Sequence, residues 1–459
     1  MKNPILVPEL RSLLKKKSFR VLESFLEEGH AKEIAEYIAM LNPDEIWRLL
    51  GLVDVHRRSE IFGYLDMDVQ VEMVSGVMKK HIAELLMEMS HDDRADLFLH
   101  LEKDIADRIL LHLPVSERSD VINLTSYHEG TIGAIMTTDY ATLNEGDTVE
   151  KAIRKIRKDA PSKETIYYIY VTDDSNRLTG FVSLRKLILA RPKQKIANLM
   201  KTEIIIAFAD DDQEKAARLI DEYDLLALPI VDNSRRLLGI ITYDDAIDIL
   251  QEEQTEDLEK LMAISGGVEE KSYLEVPAIV HFRKRVFWVV LLGLLGLLTS
   301  LIVEEFRETL EALIILTFYM PLLNAAGGNT GSQSATVILR SLTLNELFPR
   351  DIMKVIRKEF TISLLLSICL AVVTYVRVYF FPGGTTIPGQ FTLINVSLVI
   401  SLSVGLQVLW STIFGAIIPI LATKLKIDPA TVSSPLLTTF VDMVGVIIYF
   451  SVAKLLLGI

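Results

Sequence analysis

Long apolar runs in the last part of the chain most constrain what it can fold into. They cover roughly residues 286–303, 311–338, 360–381, 391–422 and 434–457. Each run is long enough to cross about 30 Å of hydrocarbon as a helix. With 50% hydrophobic residues, the 459-residue chain is too apolar for one soluble domain. The sequence therefore predicts a five-helix α transmembrane domain over residues 281–459.

The charges between these runs predict their orientation, because Lys and Arg are retained on the cytoplasmic side of a membrane. The segment HFRKR before the first run is basic, the next connection EEFRETLEA is acidic, and basic and non-basic connections alternate up to the last run. The N-terminal MKNPILVPELRSLLKKKSF lacks the apolar core of a signal peptide. We therefore expect a multi-pass protein of the cell (plasma or inner) membrane, with the N-terminus in the cytoplasm and the C-terminus outside.

Acidic side chains are concentrated before the membrane domain. Residues 1–271 carry 51 acidic and 35 basic side chains, a net charge of −16, whereas residues 272–459 carry 10 acidic and 13 basic ones. This excess of negative charge argues against nucleic acid as a partner and suits multivalent cations.

Two kinds of domain are expected in the cytoplasmic part. Residues 1–130 show the apolar period of short helices broken at LNPDE, LVDVHRR, MSHDD and LPVSE, which predicts an all-α superhelical N-terminal domain. Residues 131–253 contain an internal repeat, in which IYVTDDSNRLTGFVSLRKLI aligns with LPIVDNSRRLLGIITYDDAI. Each copy predicts a strand, a turn, a strand and a helix, so an α/β structure is expected here.

The repeat resembles a tandem pair of CBS domains. Such pairs bind adenosyl nucleotides such as ATP, and the resemblance places Gly239, Thr242 and Asp245 of the second copy at the ribose. The first copy has Gly180 and Ser183 in the matching places but Lys186 instead of the acid.

An acidic connecting helix is predicted over residues 254–280, continuing an acidic stretch that starts within the repeat. Five carboxylates follow one another at steps of three and four residues and share one helix face: Asp245, Asp248, Glu252, Glu256 and Glu259. Like charges at this spacing destabilise a helix unless cations intervene. The residues leave two alternatives open, a solvated helix face or a cation-responsive link to the membrane domain.

Asp442 is the acidic residue expected deepest in a membrane span. It lies about 10 Å from the start of the last run, too far for its short side chain to reach water. The alternative is that Asp442 forms an ion pair with a basic residue of another span. Such a pair needs a partner at the same depth, and the plausible one, Arg377, lies toward the outer end of the third run. We therefore expect Asp442 to line an aqueous path, where its oxygen donors suit Mg²⁺ better than softer metals. A twofold axis would bring two copies of Asp442 to one ion.

Together these features resemble the MgtE family of magnesium channels over the whole chain, most specifically through PLLNAAGGNTGSQSATVILRSL and TTFVDMVGVIIYF. The resemblance implies a homodimer in the lipid bilayer that carries Mg²⁺ and has no catalytic site. It also implies a pore on the dimer axis, and we assign Asp442, Asn329 and Thr438 to it. GGNTG is expected to interrupt the second span beside this pore.

The resemblance further implies that cytoplasmic Mg²⁺ closes the pore by binding acidic side chains. The matching residues are Asp92, Asp96, Asp212, Glu214, Asp224, Asp245, Asp248, Glu253, Glu256, Asp257 and Asp428. One alternative is a CBS-regulated carrier of another ion or solute, such as Co²⁺, Mn²⁺ or an anion; an anion carrier would require basic groups at mid-membrane. Another is a membrane-anchored nucleotide sensor without transport.

Overall fold

The computed structural model describes residues 4–76, 79–267, 273–274, 276–344, 346–381, 387–431 and 434–458. The chain divides into two compact units, residues 1–251 and residues 252–459. The first contains an all-α part followed by two small sheets, and the second contains the long apolar helices.

Short amphipathic helices build the first part of unit one, as predicted. Asn42 starts one of them with a reciprocal capping box to Glu45, which satisfies backbone N–H groups at the helix start. The helices are α1 Val7–Lys15, α2 Phe19–Glu28, α3 Ala31–Ile38, α4 Pro43–Leu50, α5 Val55–Gly63, α6 Met67–Gly76, α7 Lys79–Leu86, α8 His91–His100, α9 Lys103–Leu110 and α10 Val115–Leu124. From α3 onward, each helix packs against the next but one, up to α8 with α10. This stacking encloses a continuous core of Leu, Ile and Phe side chains.

The internal repeat folds into two three-stranded sheets with the same topology. The elements are α11 Ile132–Ile135, β1 Tyr140–Asn144, α12 Val149–Asp159, β2 Thr165–Thr172, β3 Leu178–Ser183, α13 Leu184–Leu189, β4 Ala207–Phe208, α14 Gln213–Glu222, β5 Ala227–Val231, β6 Leu237–Thr242 and α15 Tyr243–Leu261. In each sheet the first strand is parallel to the second, and the third is antiparallel to the second. The two hairpin turns also match, since Asn176 and Arg235 occupy aligned positions with φ of 60° and 62°.

The connecting helix differs from the expected range 254–280. It is the second half of α15, which begins at Tyr243 within the repeat and ends at Leu261. Ala263 and Gly266 follow with positive φ values of 58° and 98°, a left-handed backbone that a helix cannot continue through. The next helix begins only at Ala278, and residues 268–272 and 275 of the expected range lie outside the described residues.

Unit two contains a long helix at each of the five predicted runs. Its helices are α16 Ala278–Glu305, α17 Arg307–Ala312, α18 Ile315–Thr343, α19 Ile352–Phe380, α20 Leu393–Lys424 and α21 Ser434–Leu457. Within the described residues, α16, α19, α20 and α21 are long and apolar enough to cross a membrane. The fifth long helix, α18, has the length but carries the polar stretch. Part of the uncharged connection PGGTTIPGQ, residues 382–386, lies outside the described residues.

The expected interruption of the second span at GGNTG is wrong, because α18 continues through it. The glycines instead allow neighbouring helices to approach closely. A Cβ at Gly328 would lie 2.8 Å from the Thr438 methyl group on α21, and one at Gly331 would lie 3.2 Å from the Ser411 carbonyl on α20. Small residues at membrane helix interfaces bring backbones together in this way.

Candidate cation sites

Five carboxylates interact in unit one, and we call Asp92, Asp93, Glu164, Asp244 and Asp245 the acid cluster. Two come from the first turn of α8, two from the first turn of α15, and Glu164 precedes β2. None of the five forms an ion pair with a described Lys or Arg. One carboxylate oxygen of Asp92 is buried without a hydrogen-bond partner among the described residues.

The pKa values show that burial and mutual repulsion disfavour the ionised forms of these carboxylates. Loss of hydration, and then the charges of Asp93, Asp245 and Glu164, raise the pKa of Asp92 well above its ordinary value. The same two causes, with Asp245 as the strongest charged neighbour, raise the pKa of Glu164 to about 7. Loss of hydration also raises the pKa of Asp245, although its hydrogen bonds with Thr242 oppose this. A divalent cation would supply the positive charge that these carboxylates lack.

The acid cluster joins Asp92 and Asp245, both predicted as regulatory ligands. Asp96 lies one turn later on α8 and is half-buried, and its role stays a prediction. Sequence reasoning missed Asp93, Asp244 and Glu164. The first two are neighbours of predicted acids and could have been included on that ground, whereas nothing in the sequence around Glu164 marks it.

A second group of ligand atoms lies beside the acid cluster. His91, Glu117 and Asp120 each present one, all within 4.8 Å of one another. The buried Arg94 already pairs with Glu117 at 2.8 Å, and His91 Nε2 lies 3.3 Å from Asp139. The pKa of His91 is lowered, because the effect of burial exceeds that of the neighbouring carboxylates, whose charges raise it. Because a guanidinium already neutralises part of its charge, this group is a weaker cation site than the acid cluster.

The predicted ligands around α14 do not converge within one chain. Asp212 caps the helix start by accepting a hydrogen bond from the Glu214 backbone N–H at 2.9 Å, and the Glu214 side chain pairs with Arg218. Asp224 is exposed beyond the other end, in a left-handed backbone conformation with φ of 51°. The ten residues of α14 separate the two ends by about 15 Å. Their role as metal ligands stays a prediction.

The residues predicted for a nucleotide have structural tasks in the second repeat. A Cβ at Gly239 would lie 2.7 Å from the Thr137 carbonyl, so this strand position requires glycine. The Thr242 hydroxyl donates to Asp245 Oδ2 at 2.5 Å at the start of α15. Gly180 of the first repeat is equally tight, with its Cβ position 2.9 Å from the Lys201 carbonyl. Close packing therefore explains why both repeats have glycine at this strand position, and no ligand is needed to account for it.

Further along α15, two predicted ligands meet a lysine. Lys260 Nζ lies 2.9 Å from Glu256 Oε1 and 3.0 Å from Asp428 Oδ2 in the loop before α21. Partial burial opposes it, but these two carboxylates raise the pKa of Lys260. The ammonium group thus lies between two carboxylates that were both predicted as regulatory ligands. Asp248 is exposed, and the roles of Asp248, Glu253 and Asp257 stay predictions.

Asp442 is the ninth of the 24 residues of α21. It is half-buried, and its Oδ1 is buried with no hydrogen-bond partner among the described residues. The alternative partner, Arg377, instead donates to the Phe381 carbonyl at the end of α19. A carboxylate held in this way is a candidate ligand for a cation or its water shell.

The other two predicted pore residues differ in their surroundings. The Thr438 hydroxyl lies 3.2 Å from the Ser332 hydroxyl on α18, and its methyl group packs on Gly328. Asn329 is exposed on α18, next to that contact. Thr438 therefore also serves packing between α18 and α21.

Comparisons with known proteins identify the same succession of domains along the chain. Family models match residues 29–130 as the MgtE intracellular N domain, residues 132–193 and 196–252 as CBS domains, and residues 320–452 as the MgtE divalent cation transporter. Two solved structures are similar to about half of this chain. The cytosolic domain of the Mg²⁺ channel MgtE in complex with ATP is 35% identical, with a TM-score of 0.50, and the match covers 52% of this chain and 98% of that one. The soluble part of a magnesium transporter is 30% identical with the same TM-score, covering 54% of this chain and 97% of that one.

Two relatives match over nearly the full length. The magnesium transporter MgtE of Thermus thermophilus is 37% identical over 455 residues, which is 98% of both chains. That of Bacillus subtilis is 32% identical over 442 residues, 96% of this chain and 95% of the relative. The predicted resemblance and the predicted fold class are confirmed: the chain belongs to the MgtE family of divalent cation transporters.

Proposed function

We propose that this chain is a homodimeric magnesium channel of the cell membrane, which imports Mg²⁺ and closes when Mg²⁺ binds to its cytoplasmic acids. The relatives that match nearly the whole chain are magnesium transporters, and one similar structure is named a Mg²⁺ channel. The alternation of basic and non-basic connections supports a cytoplasmic N-terminus and a C-terminus outside.

The single observation that carries the proposal is the Asp442 carboxylate within an apolar helix bundle. An ionised side chain at membrane depth is costly unless it meets water, a cation or a partner. Its buried oxygen has no hydrogen-bond partner among the described residues. Mg²⁺ keeps several of its waters and binds through one or two carboxylates, so two Asp442 side chains related by a dimer axis would suit it.

Closure by Mg²⁺ follows from the acid cluster. In the folded state the carboxylates of α8 and α15 lie close enough to raise one another's pKa, which means that they repel when ionised. A cation that binds only this compact arrangement stabilises it increasingly as its concentration rises. High cytoplasmic Mg²⁺ would therefore favour one state of unit one, and we assign that state to the closed channel.

Flux of Mg²⁺ into liposomes containing the purified chain tests the proposal. We expect flux through the wild type and none through Asp442→Asn, because the amide keeps the shape but removes the charge. Asp351→Asn is the matched control, since Asp351 is paired with Lys354 before α19 and outside the apolar part of the helix. Normal flux through a correctly inserted Asp442→Asn protein would show that this residue is not part of the pore.

The same liposomes test ion selectivity. Flux of Mn²⁺ or Co²⁺ equal to that of Mg²⁺ would mean that the protein is a general divalent cation channel and not a magnesium channel.

We also infer that the CBS pair binds an adenosyl nucleotide such as ATP. The support is the similar cytosolic domain solved with ATP. The cleft of about 1120 Å³ in unit one does not add to this support, because its lining includes Glu117, Asp120 and Glu164, and its Lys163 lies 3.5 Å from Asp139. Equilibrium dialysis of ATP against the full chain checks this, and ATP retention equal to that of a protein-free blank would contradict it.

A further inference from the structure

Gln407 is a fully buried amide in the middle of α20. Its Nε2 donates a hydrogen bond of 2.9 Å to the backbone carbonyl of Val441 on α21. Its Oε1 is buried without a partner among the described residues. Among the described residues, neither atom forms a hydrogen bond within α20. The side chain therefore contributes to the contact between α20 and its neighbours.

Two glycines make room for this amide. A Cβ at Gly445 of α21 would lie 2.5 Å from Gln407 Nε2, and a Cβ at Gly327 of α18 would lie 2.9 Å from Gln407 Cγ. Glycine within a helix is less stable than alanine. Both helices nevertheless have glycine where the Gln407 side chain enters between them, which shows that the amide and its two neighbours fit as a unit.

The Gln407 contacts bracket the pore carboxylate along α21. Val441 directly precedes Asp442, and Gly445 follows it by three residues. A bond to the carbonyl on one side and close packing on the other hold this turn of α21 against α20. Because Mg²⁺ demands near-ideal geometry, a displacement of the carboxylate would weaken its binding.

We propose that Gln407 is the positioning residue of Asp442, fixing the turn of α21 from which this carboxylate meets the permeating ion. The inference rests on the proposed function of Asp442. Groups that orient a metal ligand change metal affinity by about 10- to 100-fold when they are removed.

The test measures Mg²⁺ flux into liposomes as a function of Mg²⁺ concentration. Gln407→Met keeps the length of the side chain but removes the donor. We expect the half-saturating Mg²⁺ concentration to rise about tenfold or more, with a smaller change in maximal flux. Ser403→Ala is the matched control, because Ser403 is equally buried on α20 but, among the described residues, its hydroxyl donates to Val399 of its own helix.

A second pair of variants distinguishes positioning from general loss of packing. Gly445→Ala should raise half-saturation as Gln407→Met does, since the new methyl group displaces the amide. In a Gln407→Ala background, which leaves space for that methyl group, Gly445→Ala should have no further effect. This non-additivity remains measurable if Gln407→Met does not fold.

Unchanged half-saturation in Gln407→Met, or equal effects of Gly445→Ala in both backgrounds, would overturn the positioning role. If Asp442→Asn still abolishes flux in those experiments, the proposed function survives and only the role of Gln407 fails. If the wild type carries no Mg²⁺, the proposed function itself fails.

Discussion

Replacing Glu164 by Gln should stabilise unit one at neutral pH when Mg²⁺ is absent. Glu164 has a pKa of about 7 instead of its ordinary 4.5, because of lost hydration and the charges of Asp245 and Asp244. The folded state therefore favours the protonated carboxyl. The resulting destabilisation is absent below pH 4.5, grows as the pH rises from 4.5 to about 7, and stays constant above that.

The size of this effect follows from the two pKa values. The difference between 4.5 and about 7 corresponds to about 3.4 kcal/mol at 1.36 kcal/mol per pKa unit. Although Glu164 loses part of its hydration, much of its surface stays in solvent, so screening reduces the expected contribution to about 1 kcal/mol. For a unit of this size, that free energy corresponds to about 2–4 °C in the unfolding temperature. Mg²⁺ at 100 times its dissociation constant would add about 2.7 kcal/mol to the wild type, and the variant should gain less.

The assay heats the full-length protein in detergent and follows the temperature at which residues 1–251 become sensitive to protease. With EDTA, Glu164→Gln should unfold about 2–4 °C above the wild type at pH 8 and at the same temperature near pH 4.5. Glu203→Gln, an exposed carboxylate elsewhere in the unit, should follow the wild type at both pH values. Equal unfolding temperatures of Glu164→Gln and wild type at pH 8, or an equal gain from Mg²⁺, would refute the acid cluster as a cation site.

Three further predictions concern packing and gating. Gly415→Ala should destabilise the membrane domain by about 1–3 kcal/mol, because its Cβ would overlap the Gly331 backbone. Gly293→Ala on α16, which meets no atom within 4 Å, is the control, and equal detergent melting temperatures of the two variants would contradict close packing of α18 on α20. Lys260→Met should lower the internal Mg²⁺ concentration that closes the channel, because its two carboxylate partners are then free to bind the ion; an unchanged closing curve in patch recordings would show that this bridge is not part of the sensor. Deleting residues 1–128 should leave a conducting channel that closes only at higher Mg²⁺, since the pore helices remain but the α8 acids are lost. A closing curve identical to that of the full chain would exclude the first domain from gating.

Local properties of the sequence determined the domain plan. Apolar runs of spanning length predicted the five long helices, and all five form, because length and hydropathy act within one segment. The repeat predicted two sheets of one topology, since strand and turn signals recur in aligned positions. Asp442 could be singled out because an ionised carboxylate within an apolar run is costly unless it meets water, a cation or a partner.

The tertiary structure alone decided which side chains meet. Glu164 joins Asp92 and Asp245 from a distant segment, and no spacing in the sequence indicates that encounter. Lys260 reaches Asp428, 168 positions along the chain, and pairs with a carboxylate that was predicted as a cation ligand. The glycines of GGNTG permit close helix contacts instead of a break. Glycine lowers the stability of an isolated helix, but the packing of a neighbouring helix beside it offsets that cost. Contacts of this kind depend on how whole elements pack, and a linear pattern carries no information on the distance between residues that are far apart in the chain.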